Sequence, residues 1–135
     1  MAPPYAGSER RKFRRAEASF IITYKINYPL SIRLLYKDKA MDALAFDLSE
    51  GGMAVSTGHE IPAGTQVTIH FVLLNESAVN VNDRLRSLQI SAQISYCTRS
   101  AEKEFRLGVV FGGISADERL FIAGFTKAYF QKKRP

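Results

Sequence analysis

The sequence predicts an all-β-dominated domain, a small antiparallel barrel with one helix at its C-terminal end. Three observations carry this. Apolar residues recur with a period of two in several short segments; turn residues separate those segments; and one late segment changes to helical spacing. In the first strand, Phe20, Ile22, Tyr24, Ile26 and Tyr28 alternate with Ile21, Thr23, Lys25 and Asn27. Pro29 lacks a backbone donor and is expected to end this strand or place it at a sheet edge. A further strand is expected at residues 31–37. Met41 to Leu48 reads as a strand running into a turn composed of Asp47-Leu48-Ser49-Glu50-Gly51-Gly52, and Met53 to Ser56 as a short strand after it. A second turn follows at Ile61-Pro62-Ala63-Gly64.

Val67, Ile69, Phe71 and Leu73 then alternate with Thr68, His70 and Val72. Residues 75–84 are polar and Asn-rich, which suits a loop. Leu88, Ile90, Ala92, Ile94 and Tyr96 form one face of the next strand, opposite Gln89, Ser91, Gln93, Ser95 and Cys97. Phe105, Leu107, Val109 and Phe111 form the last strand, stopped by Gly112-Gly113. Ser115 and Glu118 have capping-box spacing, and Phe121, Ile122, Phe125, Ala128 and Tyr129 share one helical face behind them.

Length and composition agree with one domain. A chain of 135 residues with 46% hydrophobic content can bury roughly 65–70% of its unfolded surface. No apolar run approaches the ~18 residues of a membrane span. Met1 to Gly7 lacks the apolar core of a secretory signal and contains two prolines and a glycine, so it is expected to be disordered. With a single cysteine, Cys97, the chain makes no internal disulfide, and a cytoplasmic location is the expectation.

The formal charge of +6 is concentrated at the ends. Arg10, Arg11, Lys12, Arg14 and Arg15 lie close together, and Lys132, Lys133 and Arg134 close the chain. An anionic partner at those ends is the natural inference. Catalytic signatures are missing. His59 and His70 have no metal-ligand spacing to Cys97 or to a carboxylate cluster, and no phosphate-binding loop, dinucleotide fingerprint or nucleophile elbow occurs. A binding protein without metal or cofactor is expected, not an enzyme.

Two constellations remain. One is Glu9-Arg10-Arg11-Lys12-Phe13-Arg14-Arg15, with Arg11 and Arg15 in R-x-x-x-R spacing; Arg10 and Arg14 share that spacing. The other is Asp47-x-Ser49-x-x-Gly52. Guanidinium forks bind phosphates bidentately, read the O6/N7 edge of guanine and stack on bases. A carboxylate accepts from the donors on guanine's opposite edge. Serine adds a short-range hydroxyl, and glycine lets a backbone turn or a ligand approach closely. The set suits a guanine nucleotide.

Together and in this order, the two constellations resemble the motifs of the PilZ domain, a family of bacterial receptors for cyclic di-GMP. Leu107-Gly108-Val109-Val110-Phe111 looks like the family's last barrel strand, and the helix from about Asp117 like its usual C-terminal helix. The resemblance implies a six-stranded antiparallel barrel with a C-terminal α-helix. It divides the chain into a disordered start at 1–8, a PilZ-like domain at 9–130 and a basic tail at 131–135. Within the domain it implies an arginine arm at 9–16, a barrel at 18–112 and a helix at 116–130.

The implied ligand is cyclic di-GMP, held on the barrel's outer surface by Arg10, Arg11, Arg14, Arg15, Asp47, Ser49, Gly51 and Gly52. Arg11 and Arg15, the preferred motif pair, would meet phosphates and guanine faces. Asp47 and Ser49 would meet a guanine edge, and Gly52 would keep the turn open. Arg10 would favour an intercalated ligand dimer, as such a residue does in relatives. The 31 residues between Arg15 and Asp47 are many for the family and point to an extension of the first hairpin.

The resemblance implies a monomer or dimer that signals to a separate protein effector. The arm is expected to be mobile alone and ordered on binding, because its cations repel one another and only Phe13 offers an apolar anchor. Two other readings compete: a barrel that binds single-stranded nucleic acid, and a PilZ-like adaptor working by protein contacts alone. The strands lack the basic, aromatic-studded platform of the first, and the intact motifs speak against the second. A membrane-surface anchor built on the arginine arm is disfavoured because the arm lacks an amphipathic apolar face.

Overall fold

A computed structural model describes residues 20–74, 79 and 84–133, the last six by backbone only. The elements are β1 (Phe20–Tyr28), α1 (Leu30–Leu35), β2 (Met41–Ser49), β3 (Gly52–Thr57), β4 (Gln66–Leu74), β5 (Leu85–Ala101), β6 (Glu104–Phe111) and α2 (Ala116–Lys133). The six strands close into an antiparallel barrel in the order β1-β2-β3-β6-β5-β4. Closure removes both sheet edges. Pro29 therefore ends β1 but does not make it an edge strand, since β1 pairs with β2 on one side and β4 on the other.

The alternation in sequence becomes the inside of the barrel. Ile22, Tyr24 and Ile26 from β1, Val67, Ile69, Phe71 and Leu73 from β4, and Leu88, Ile90, Ala92 and Ile94 from β5 form one buried cluster. Each fully buried Val, Leu, Ile or Phe there contributes about 1.5–3 kcal/mol relative to exposure. A polar bond within this interior joins Tyr24 Oη and Thr57 Oγ1, 2.8 Å apart and buried. Burial pushes the Tyr24 phenol up to about 12, against the opposing pull of that bond. β6 adds Leu107, Val109 and Phe111, and α2 adds Ile122, with Phe121 and Phe125 packed at its margin.

The expected capping box starts α2. The Ser115 hydroxyl accepts from the Glu118 N–H at 3.1 Å, and the Glu118 carboxylate accepts from the Ser115 N–H at 3.0 Å. At its other side the helix meets the barrel through β2, and Asp117 pairs with Arg86 near the start of β5.

Residues 31–37 are not a strand. They form α1 and its C-terminal turn, the extension that the long Arg15–Asp47 gap implied. Pro29 stands at its N-cap with extended backbone, and the Arg33 N–H donates to the Pro29 carbonyl at 3.0 Å. Ile32 and Tyr36, one helical turn apart, rest against the core, while the Tyr36 hydroxyl donates to the Glu60 carbonyl at 3.0 Å. A strand would have turned neighbouring leucines to opposite faces and found no free strand edge to pair with.

Candidate functional site

The Asp47–Gly52 motif sits at a two-residue connection of the barrel, between β2 and β3. The expected strand to Leu48 and the expected turn overlap at Asp47 and Leu48. In the structure only Glu50 and Gly51 form the loop; Asp47, Leu48 and Ser49 belong to β2, and Gly52 opens β3 opposite Ser49. The Ser49 hydroxyl accepts from the Gly51 N–H at 3.3 Å and lies 3.5 Å from the Gly52 carbonyl. The Phe111 N–H donates to the Gly51 carbonyl at 2.9 Å, which fixes the loop against β6.

Gly52 acts differently from the expectation. Its backbone is extended, not left-handed, so conformational freedom is not what requires glycine here. A Cβ at this position would lie 2.0 Å from the Val109 carbonyl oxygen. The glycine allows β3 and β6 to approach closely under the motif.

Two β-bulges decide which side chains leave the barrel. Along β2 the inward residues are Met41, Ala43 and Ala45, and a regular strand would next point Asp47 inward. Phe46 is an extra residue in the pairing, since Ala45 faces Val55 and Asp47 faces Ala54. The phase flips, Leu48 enters the core, and Asp47 and Ser49 join the outer row. In β5, Ile94 pairs with Val109 and Tyr96 with Gly108, leaving Ser95 as the extra residue. Its hydroxyl donates to the Gly108 carbonyl at 3.1 Å.

The second bulge corrects the face assigned to two residues. Tyr96, expected on the apolar face, is turned outward, and Cys97, expected opposite, packs against the core.

As a result, Asp47, Ala54, Gly108 and Tyr96 form one row across β2, β3, β6 and β5 on the outer face. The row spans roughly 14 Å between its end Cα atoms at the usual strand spacing. Its middle residues are small, and Asp47 and Ser49 are buried despite their outward phase. The Tyr96 ring covers Gly108, where an added Cβ would be 2.0 Å from the ring's Cε2. One register step away, Arg106 stands on the same face of β6, its guanidinium 4.4 Å from the centre of the Phe46 ring.

Tyr96 and Arg106 were not among the residues singled out from sequence. A signal for the bulges does exist there: inward apolar residues jump by three, not two, from Ala45 to Leu48 and from Ile94 to Cys97.

The chemistry this face offers is specific in kind. A carboxylate accepts from paired N–H donors, an aromatic ring offers a stacking surface, and a guanidinium offers a cation. Gly51 and Gly52 lie at the loop below it. Arg10, Arg11, Arg14 and Arg15 lie outside the described residues, as do the disorder expected at 1–8 and the mobility expected at 8–15. Among the described residues, no group of His, Cys, Asp and Glu is placed to hold a metal ion. His70 lies on the polar outer face as expected, 2.6 Å from the Ser87 hydroxyl. No described helix is long and apolar enough to cross a membrane.

Solved structures with this fold are similar over most of the chain. The Bacillus subtilis inhibitor of motility MotI/DgrA matches with a TM-score of 0.73 at 16% identity, over 93% of this chain and 54% of that one. This chain thus spans about half the length of that relative. The PilZ domain of YcgR from Escherichia coli, solved with c-di-GMP, matches with a TM-score of 0.61 at 16% identity, over 93% of this chain and 95% of that one. A PilZ protein from Xanthomonas campestris, described as a tetramer assembled through a helical bundle, matches at 9% identity with a TM-score of 0.58, covering 96% and 93% of the two chains. No curated protein matches the sequence. The PilZ domain family model matches residues 9–128, nearly the whole chain, so with this barrel and this motif-bearing hairpin the chain belongs to the PilZ domain family.

Proposed function

We propose that the chain is a cyclic di-GMP receptor that binds its ligand on the outer face of β2, β3, β5 and β6. The observation that carries this reading is the pair of bulges, which turn Asp47 and Tyr96 outward at opposite ends of one row. Membership of a family of c-di-GMP receptors supplies the ligand class. Asp47 accepts from the imino and amino donors of one guanine. Tyr96 provides a stacking surface for a base, a contact that is tolerant of orientation because every base has a π-face. Arg11 and Arg15 hold the phosphates and guanine faces through bidentate, charge-assisted bonds. Arg10 and Arg14 flank them, and Arg106 adds a cation on the barrel side.

Ser49 keeps Asp47 in place indirectly, through the hydrogen bonds that close the Glu50–Gly51 loop. Binding neutralises the repulsion within the arm, so ordering of residues 8–15 and ligand capture are one event. The ordered arm then presents a new surface to a separate protein effector. No catalytic step is part of this reading. Nitrogen–proton NMR spectra of the full chain, titrated with cyclic di-GMP, test it. The amides of Asp47 to Ala54, Tyr96 and Gly108 should shift together and saturate. Shifts confined to the opposite wall, on β1 and β4, would contradict the site.

A further inference from the structure

We propose that the α1 projection is a contact site for an anionic lipid surface. Tyr28, Leu30, Leu34 and Leu35 are 62%, 59%, 61% and 67% exposed, unusual values for four large apolar residues within eight positions. Leu30 and Leu34 are one helical turn apart and stand on the same face. None of the six residues of α1 is fully buried, and the helix packs on β1. The leucines therefore project from a short convex feature. A partner helix from another protein needs a groove, whereas a lipid interface accepts a protruding apolar tip to a depth of roughly 5–10 Å.

Charge on the same projection favours lipid of one sign. From residue 25 to residue 39 it carries Lys25, Arg33, Lys37 and Lys39 against Asp38 alone. Arg33 contacts Asp38 through Nε at 2.9 Å and Nη2 at 3.2 Å, and Lys25 approaches the same carboxylate at 3.6 Å. The acid is thus held within the cluster, and the projection keeps a positive excess beside its leucines.

Lys37 adds an independent indication. It follows the α1 C-cap Tyr36 with φ of 57°, and Asp38 after it has φ of 55°, the left-handed conformation usually given to glycine after a helix. The surrounding bonds are those of a helix-closing turn: the Lys37 N–H donates to the Leu34 carbonyl at 2.9 Å, and the Asp38 N–H to the Arg33 carbonyl at 3.0 Å. Glycine satisfies this backbone with less strain. A lysine there places a cation three residues from Leu34 at the expense of backbone preference. Cations beside an exposed apolar tip are the combination that holds a protein to anionic headgroups.

The inference does not depend on nucleotide binding, and its test uses the full chain without nucleotide. The sequence has no tryptophan, so Leu34→Trp provides a single emission probe. Vesicles of phosphatidylcholine are compared with vesicles of equal parts phosphatidylcholine and phosphatidylglycerol. The emission of Leu34→Trp should shift to the blue with the anionic vesicles alone. Co-sedimentation should weaken at least ~10-fold for Leu30→Ser combined with Leu34→Ser. Lys37→Gly should weaken it ~5-fold, the usual share of one juxtamembrane cation, while its thermal midpoint stays at or above that of the wild type.

Unchanged tryptophan emission while the protein sediments with vesicles would assign binding to the basic termini and overturn the proposal. So would equal binding by the double serine variant. A dimer seen by analytical ultracentrifugation and abolished in that variant would give the patch to a second copy of the chain, against the lipid assignment.

Discussion

The ring of Tyr96 occupies the space in which a side chain on Gly108 would have to begin, 2.0 Å from the position of an added Cβ. The two residues face each other across β5 and β6 because the Ser95 bulge shifts the register by one. Tyr96→Ala should keep the fold, since the ring lies on the outer surface and is 42% exposed. It should weaken cyclic di-GMP binding by about 1–3 kcal/mol, the usual value of one base-stacking contact. Gly108→Ala should displace the ring and reproduce much of that loss. Calorimetry on both variants, with circular dichroism as the check on folding, measures this.

Gly52→Ala should behave differently. Its added Cβ meets the Val109 carbonyl oxygen at 2.0 Å, and backbone, unlike the Tyr96 ring, cannot swing aside. Overpacking costs typically about 1–3 kcal/mol, and a clash with the main chain belongs at or above the top of that range. Urea unfolding should show this destabilisation without any ligand present. A variant as stable as the wild type would leave the strand-approach explanation of this glycine without support.

Tyr24 sets a pH dependence. Its folded-state value of about 12 lies above the ordinary 10.0 because burial opposes the charged form. Between these values the unfolded chain loses the phenolic proton first. The stability contributed is therefore complete below pH 10 and is lost as the pH rises toward 12. Tyr24→Phe should unfold with a shallower decline over that window. It should also lose about 1–3 kcal/mol at neutral pH, because Thr57 Oγ1 is left in the interior without its phenolic partner. Urea midpoints measured across the window for both proteins decide it.

Arg15→Ala should reduce cyclic di-GMP affinity by at least ~2 kcal/mol, as it removes a charge-assisted contact. Hydrogen–deuterium exchange should show residues 8–15 unprotected alone and protected at saturation. Protection already present without ligand, or absent with it, would move the signalling event to the barrel or to α2.

Much of this architecture is written in alternation. The period-two rows of β1 as far as Ile26, of β4 and of β6 lead directly to the inner wall, whereas Tyr28, beyond a register shift, turns out; Ser115 with Glu118 marks the start of α2. What escaped is local and short. Six residues of α1 cannot display a helical period, and Leu30, Leu34 and Leu35 resemble a strand by composition. The bulges at Phe46 and Ser95 have no residue signature; only the three-residue jumps betray them. That gap matters for the site, because a bulge determines whether Asp47 faces the core or the outer surface. Tyr96 was hidden for the same reason, as its apolar ring fits the inward series until the register shifts. The D-x-S-x-x-G motif names residues, while the pairing of β2 with β3 determines their direction.

Titration calorimetry of the full chain with cyclic di-GMP, GTP, GMP and a single-stranded oligonucleotide, each at low and physiological salt, tests the central claim most directly. The predicted result is saturable binding of cyclic di-GMP, weaker response to GTP and GMP, and only a modest loss of affinity with salt, as befits a ligand with two phosphates. The contradicting result is no binding of cyclic di-GMP together with oligonucleotide binding that falls by several orders of magnitude between the two salt conditions, the mark of a protein that neutralises many phosphates at once.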